Sequence, residues 1–159
     1  MHRFCRVLSW LALLPCALAI AGEEYRLETW AEGLDHPWSI AFLPEGGALV
    51  TERPGTLRPL TADGEVGAPL DGVPPVYHAG QGGLFDVVLD PDFEANRRIF
   101  LSFAEGSPDD NGTAVASATY RAGVLGDVKT VFRNASRKDT TAHYGGRLAF
   151  LPDGTLLLT

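Results

Sequence analysis

The sequence predicts an all-β protein assembled from β-propeller blades, on three observations. Ala41-Phe42-Leu43-Pro44-Glu45-Gly46 returns as Ala149-Phe150-Leu151-Pro152-Asp153-Gly154, and Leu49-Val50-Thr51 as Leu157-Leu158-Thr159, at a constant spacing of 108 residues. A looser copy lies between them, Asp86-Val87-Val88-Leu89-Asp90-Pro91 followed by Arg98-Ile99-Phe100-Leu101-Ser102-Phe103, with its proline 47 positions after Pro44. No segment sustains a helical apolar period, and 18 glycines and 11 prolines would interrupt a helix repeatedly. Repeats of roughly 40–50 residues built from strand hairpins and turns are the mark of propeller blades, each of about four short strands. The chain then holds about two and a half to three blades.

Taken in order, residues 1–21 have the form of a signal peptide. His2, Arg3 and Arg6 make a positive n-region, Val7 to Leu18 an apolar h-region, and Ala19-Ile20-Ala21 an A-x-A cleavage site. The apolar run is short for a ~30 Å bilayer core, so export with cleavage is expected, to the periplasm or outside the cell, with no stable membrane anchor left. Pro15 stands where a lipobox needs a small residue ahead of Cys16, which argues against lipidation. Cys5 and Cys16 both fall in this leader, so residues 22–159 contain no thiol and no disulfide.

Tyr25 to Ala31 alternates apolar and polar residues like a half-buried strand. Gly33 to Trp38 reads as a loop, followed by a hairpin of Ser39 to Leu43 and Ala48 to Thr51 around Pro44-Glu45-Gly46-Gly47. Further strands are expected at Gly55 to Thr61, Asp86 to Leu89, Arg98 to Phe103, Thr113 to Arg121 and Val128 to Phe132. Loops fall at Asp63-Gly64, Gly72 to Pro75 and the polar run Gly106 to Gly112. The last hairpin joins Leu148 to Leu151 with Thr155 to Thr159 through Pro152-Asp153-Gly154. There proline presets φ, aspartate bonds its own backbone and glycine takes the positive φ. A propeller closes as a ring, and an open arc exposes blade faces and strand edges. Residues 22–159 are therefore expected to be the amino-terminal part of a longer propeller domain, truncated at its C-terminal side.

With 45% hydrophobic and 21% charged residues, this length suffices for one domain with a core. The net charge is −7, and without Arg3 and Arg6 there remain 11 basic against 20 acidic side chains. An acidic chain with no basic stripe is not built for nucleic acid.

Three motifs hold the polar residues of interest: Gly80-Gln81-Gly82-Gly83-Leu84, Leu89-Asp90-Pro91-Asp92-Phe93 with Asn96, and His143-Tyr144-Gly145-Gly146-Arg147-Leu148. Read singly they are bland. A lone loop histidine is more often solvated than catalytic, and His36 and His78 read as loop or packing residues. No helix follows either glycine pair, so neither cradles phosphate. Asp90-Pro91-Asp92 and Asp109-Asp110-Asn111-Gly112 lack the spacing of a full oxygen cage and read as turns. Asn111-Gly112-Thr113 and Asn134-Ala135-Ser136 fit the glycosylation sequon, a short and common pattern.

Read together, and with Pro37-Trp38-Ser39-Ile40-Ala41-Phe42 and Thr51-Glu52-Arg53, these motifs resemble the soluble PQQ-dependent sugar dehydrogenases of the glucose/sorbosone dehydrogenase family, closest to the aldose sugar dehydrogenase branch. The resemblance runs through nearly all of residues 22–159. It implies a six-bladed propeller with pyrroloquinoline quinone (PQQ) and calcium in the top-face mouth, oxidising an aldose to a lactone and passing electrons to an external acceptor. It makes His143 the general base that takes the anomeric hydroxyl proton while hydride leaves for the quinone, and Gln81 the substrate contact beside it. An imidazole titrates near working pH, and an amide both donates to and accepts from sugar hydroxyls. The residues that hold the cofactor and calcium are expected beyond Thr159, with no metal ligand in this segment. Ala142 departs from the aspartate of the glucose dehydrogenase branch, which argues against a strict glucose preference. Two other functions are compatible with a propeller: a metal-dependent sugar-lactone hydrolase, with Asp35-His36-Pro37-Trp38 supplying an early ligand where glutamate is usual, and a secreted binding module without chemistry.

Overall fold

In the computed structural model, which describes residues 25–121 and 123–159, nine strands form three antiparallel sheets among the described residues. The first sheet holds β1 (Pro37–Phe42), β2 (Ala48–Glu52) and β3 (Thr56–Leu60). The second runs β4 (Leu84–Leu89), β5 (Arg98–Ser107), β6 (Asp110–Arg121) and β7 (Val124–Arg133), and the third pairs β8 (Leu148–Phe150) with β9 (Leu156–Leu158). One turn of helix, α1 (Phe93–Asn96), separates β4 from β5. The leader expected at residues 1–21 lies outside the described residues.

The sequence repeat is a repeat of register. Ala41 faces Leu49 and Phe42 faces Ala48 across β1 and β2, while Ala149 faces Leu157 and Phe150 faces Leu156 across β8 and β9. The middle copy is looser because residues 90–97 occupy the place of residues 43–47. Asp90 Oδ1 accepts from Asp92 N and from Asn96 Nδ2, each at 2.9 Å, and folds that longer turn onto itself. Asp90-Pro91-Asp92 is thus a turn with its carboxylate turned inward. In the last hairpin Asp153 accepts from Thr155 N–H at 2.9 Å, and this bond holds its carboxyl below the usual carboxylate range.

β4 packs beside β1 on one side and β8 on the other, as innermost strands of successive blades do. One four-stranded blade, a three-stranded blade and a two-stranded beginning make an all-β, incomplete propeller arc. Its main core lies between the first two sheets, where Leu49 and Leu57 meet Leu84, Val87, Ile99, Leu101 and Phe103. Burying such a side chain is worth about 1.5–3 kcal/mol. A second cluster joins Phe85, Ala104 and Tyr144, with Trp38 and Tyr77 packed against it. The Phe85 ring lies 5.7 Å from both the Trp38 and Tyr144 rings.

The structure corrects three sequence expectations. Tyr25 to Ala31 is not a strand: it belongs to none of the three sheets, and Leu27 is 98% exposed. Near its end Trp30 donates to Ala62 O at 3.1 Å and packs against Phe42. The loop expected through Trp38 stops at His36, because Pro37 already pairs with Glu52. The polar run Gly106 to Gly112 is no open loop, since β5 and β6 stay paired to Ser107 and Asp110 and only two residues turn between them. Polar composition there marks a solvent-facing hairpin tip, not unpaired backbone. Asn111, at that tip, is fully buried, with its Nδ2 on Ser107 O at 3.1 Å, so its sequon is closed to modification. No helix among the described residues is long and apolar enough to cross a membrane.

Candidate active site

His143 stands in the loop that enters β8, with its backbone in the left-handed region at φ 61°. Histidine is among the residues that tolerate this region best. Its peptide groups are gripped from both sides. Gln81 Oε1 accepts from His143 N–H at 2.8 Å, while Lys138 Nζ donates to His143 O at 2.9 Å and to Ala142 O. Gln81 N–H in turn donates to Thr141 O at 2.8 Å, which laces the loop before β4 to the loop before β8.

The Lys138 ammonium also sits 3.6 Å from the centroid of the Tyr144 ring, and burial pulls its pKa below the ordinary lysine value. Burial pushes the Tyr144 phenol up, and its hydroxyl donates to Asn111 Oδ1 at 2.7 Å. Thr113 Oγ1 completes this seat by donating to Tyr144 O at 2.6 Å. The four-residue stretch of loop around the histidine therefore rests on the hairpin tip of the second blade.

A cavity of about 310 Å³ opens beside this loop, lined by Trp38, Arg53, Gln81, Phe85, His143, Tyr144 and Gly145. Segments far apart in the chain, each part of a motif singled out from the sequence, meet here. Of the site residues expected from the sequence, His143 and Gln81 are brought together. The oxygen end of the Gln81 amide is engaged by the histidine backbone, so what it offers a ligand from its other end is a donor. His36 and His78 are exposed and do not line the cavity; the His36 ring bonds the Asp35 carboxylate instead.

Arg53 brings a positive charge to the wall. Its Nη2 donates to Gly80 O at 2.8 Å, and its Nε is buried without a hydrogen-bond partner. Its carbonyl accepts from Leu84 N at 3.0 Å, an approach that only glycine at position 83 allows, because a Cβ there would lie 2.4 Å from that carbonyl oxygen. Gly146 (φ 112°) lies similarly against Phe85, where a Cβ would come within 2.8 Å of the ring. The paired glycines serve close packing.

Behind the loop lies a residue that the sequence reading did not single out for the site. Asp86 is 1% exposed, and its Oδ2 accepts from Leu148 N–H at 2.7 Å. Its Oδ1 accepts from Ser39 Oγ and from Arg147 Nη1, the latter at 3.2 Å. Asp86 N–H donates to Ser102 Oγ at 3.0 Å, and that hydroxyl donates to Gly146 O. One carboxylate thereby ties the inner strands β1, β4 and β8 together directly behind His143. The available signal was an acidic residue inside Leu84-Phe85-Asp86-Val87-Val88-Leu89, where a buried strand should be apolar throughout.

The cavity thus combines an imidazole, an amide donor, a guanidinium and aromatic faces, and among the described residues no carboxylate lines it. Such a set suits proton abstraction from a bound hydroxyl beside a planar, anionic group. Among the described residues no three His, Cys, Asp or Glu side chains converge.

Comparison with known proteins bears on the same region. A family model described as Glucose / Sorbosone dehydrogenase matches residues 34–159. The aldose sugar dehydrogenase YliI of Escherichia coli (strain K12) is 44% identical over 99% of this chain and 44% of its own length. The apo-form crystal structure of the soluble aldose sugar dehydrogenase of Escherichia coli superposes with a TM-score of 0.74 at 47% identity, over 77% of this chain and 37% of that one. The PQQ-bound aldose sugar dehydrogenase of Streptomyces coelicolor gives a TM-score of 0.70 at 34% identity, over 82% and 39% of the respective chains. The chain spans less than half the length of these relatives.

Proposed function

The chain belongs to the glucose/sorbosone dehydrogenase family, and on that premise we propose that residues 22–159 are the amino-terminal, base-bearing arc of an exported PQQ-dependent aldose dehydrogenase. The observation that carries the reading is the meeting of His143, Gln81, Arg53 and Trp38 in one cavity. In the proposed reaction the His143 imidazole accepts the proton of the anomeric hydroxyl as that carbon gives up hydride and becomes the lactone carbonyl. PQQ, when bound, supplies the two-electron acceptor for that hydride, and an external acceptor later reoxidises it. Of this chain's residues, Arg53 suits a carboxylate of the quinone and Trp38 its planar ring. No step is assigned to calcium.

Proton abstraction needs the base within hydrogen-bond reach of the hydroxyl, so the grip on the His143 peptide adds to what the imidazole itself supplies. Phe85 and the Tyr144 ring wall the cavity with apolar surface, which limits water around the reacting carbon. Ala142 places no carboxylate next to the base, in keeping with a site that accepts several aldoses.

The two ends of the Gln81 amide make separable predictions in the full-length enzyme. Gln81→Ala removes the donor toward the sugar and the acceptor for His143 N–H, so it should raise KM and also lower kcat, each by about 2–10-fold for a hydrogen bond of ordinary strength. Gln81→Glu keeps the acceptor and should recover most of the kcat loss while KM stays high. Steady-state kinetics on glucose and xylose read both, and a kcat equal to wild type in Gln81→Ala would show that the amide does not hold the base. The reading as a whole is tested by aldose-dependent dye reduction with and without PQQ.

A further inference from the structure

We propose that Lys138 is a positioning residue for the base: its ammonium holds the Ala142–His143–Tyr144 segment so that His143 keeps the left-handed conformation from which its imidazole reaches the cavity. This rests on the reading of His143 as the base. Lys138 Nζ donates to two consecutive carbonyls, Ala142 O and His143 O, the latter at 2.9 Å, and its remaining face lies 3.6 Å from the Tyr144 ring centroid. A compact ammonium with three donors suits two converging carbonyls and a ring face.

The lysine itself is fixed in place. Its backbone pairs with Asn111 in both directions, at 2.9 and 3.0 Å, on the hairpin tip that also bonds the Tyr144 hydroxyl. Its neighbour Arg137 is used differently, bridging Glu105 and Asp110 as a surface ion pair. Lys138 makes none of the ion pairs among the described residues and spends its charge on the carbonyls flanking one histidine. With Gln81 Oε1 on the N–H of that histidine, the peptide groups on both sides of a residue at φ 61° are held. The Cα–Cβ direction follows the backbone conformation, so relaxation toward the right-handed or extended region would swing the imidazole away. Loss of the clamp should therefore act on turnover and leave substrate affinity in place.

The test uses the full-length, PQQ-loaded enzyme. Lys138→Met keeps the stem and removes the ammonium; kcat should fall by about 10–10²-fold, as for a misplaced catalytic group, with KM within about twofold of wild type. Residues 22–159 contain no cysteine; with any cysteine elsewhere in the full-length protein replaced by serine, Lys138→Cys can be alkylated with 2-bromoethylamine to rebuild an ammonium at the same reach, which should restore kcat to within about threefold. In the quinone-free protein, amide hydrogen exchange at residues 142–144 should rise at least about tenfold in Lys138→Met while β6 amides are unchanged. Wild-type kcat in Lys138→Met, or unchanged exchange, would overturn the proposal. Should that variant fail to fold, Lys138→Gln replaces it, with the same criteria. If wild type oxidises no aldose, or His143→Gln retains full turnover, it is the base assignment that fails and the catalytic role falls with it; exchange in the quinone-free protein still decides whether the clamp exists.

Discussion

In the full-length enzyme, His143→Gln is expected to lower aldose turnover by about 10²–10⁴-fold, or roughly 3–5 kcal/mol of transition-state stabilisation, with PQQ binding retained. Glutamine keeps a polar side chain of similar reach but cannot take up a proton at neutral pH. The backbone requires a second variant. At φ 61° glutamine is less at ease than histidine, whereas asparagine is enriched in this region, so His143→Asn separates loss of the base from strain in the loop. Both variants should be equally impaired in kcat and should bind PQQ with wild-type stoichiometry, measured by absorbance titration. Recovery of turnover in His143→Asn would mean that loop conformation, not proton transfer, explains the glutamine result.

Asp86→Ala is expected to destabilise the fold by about 2–5 kcal/mol, because Leu148 N–H, Ser39 Oγ–H and Val87 N–H, all buried, lose their acceptor together. The partial exposure of Arg147 makes its share of the ion pair small. Asp86→Asn keeps the oxygen that serves Ser39 and Val87 and loses the one that serves Leu148, so it should lose about half as much. A urea titration of the full-length protein gives the comparison, with the midpoint shifted at constant slope. An unshifted midpoint for Asp86→Ala would show that the inner strands are held without this carboxylate. Turnover should also fall, since Leu148, a few residues beyond His143, is anchored by the same carboxylate.

The hairpins at residues 41–51 and 149–159 were legible because one register is written twice, and pairing of Ala41 with Leu49 forces that of Ala149 with Leu157. Tyr25 to Ala31 misled because alternation says which residues share a face but not whether a partner strand exists. At Gly106 to Gly112 polarity does not mean irregularity, because a hairpin tip in solvent can be both polar and paired. In the site, the sequence motifs singled out His143 and Gln81, which the fold brings to one cavity. They did not reveal which end of the Gln81 amide is already engaged, since the partner is 62 residues away. Asp86 and Lys138 were hidden for the same reason: their roles are defined by carbonyls and amides that only the packing of successive blades brings near.

The central claim, that His143 serves as base in PQQ-dependent aldose oxidation, is tested most directly by titrating the quinone-free full-length protein with PQQ in the presence of calcium, an aldose and a dye acceptor. Dye reduction should depend on the aldose, rise with PQQ to saturation at an equimolar ratio, and be lost in His143→Gln at the same PQQ occupancy. Absence of aldose-dependent reduction at saturating PQQ, or hydrolysis of a sugar lactone with a divalent cation and no quinone, would contradict it.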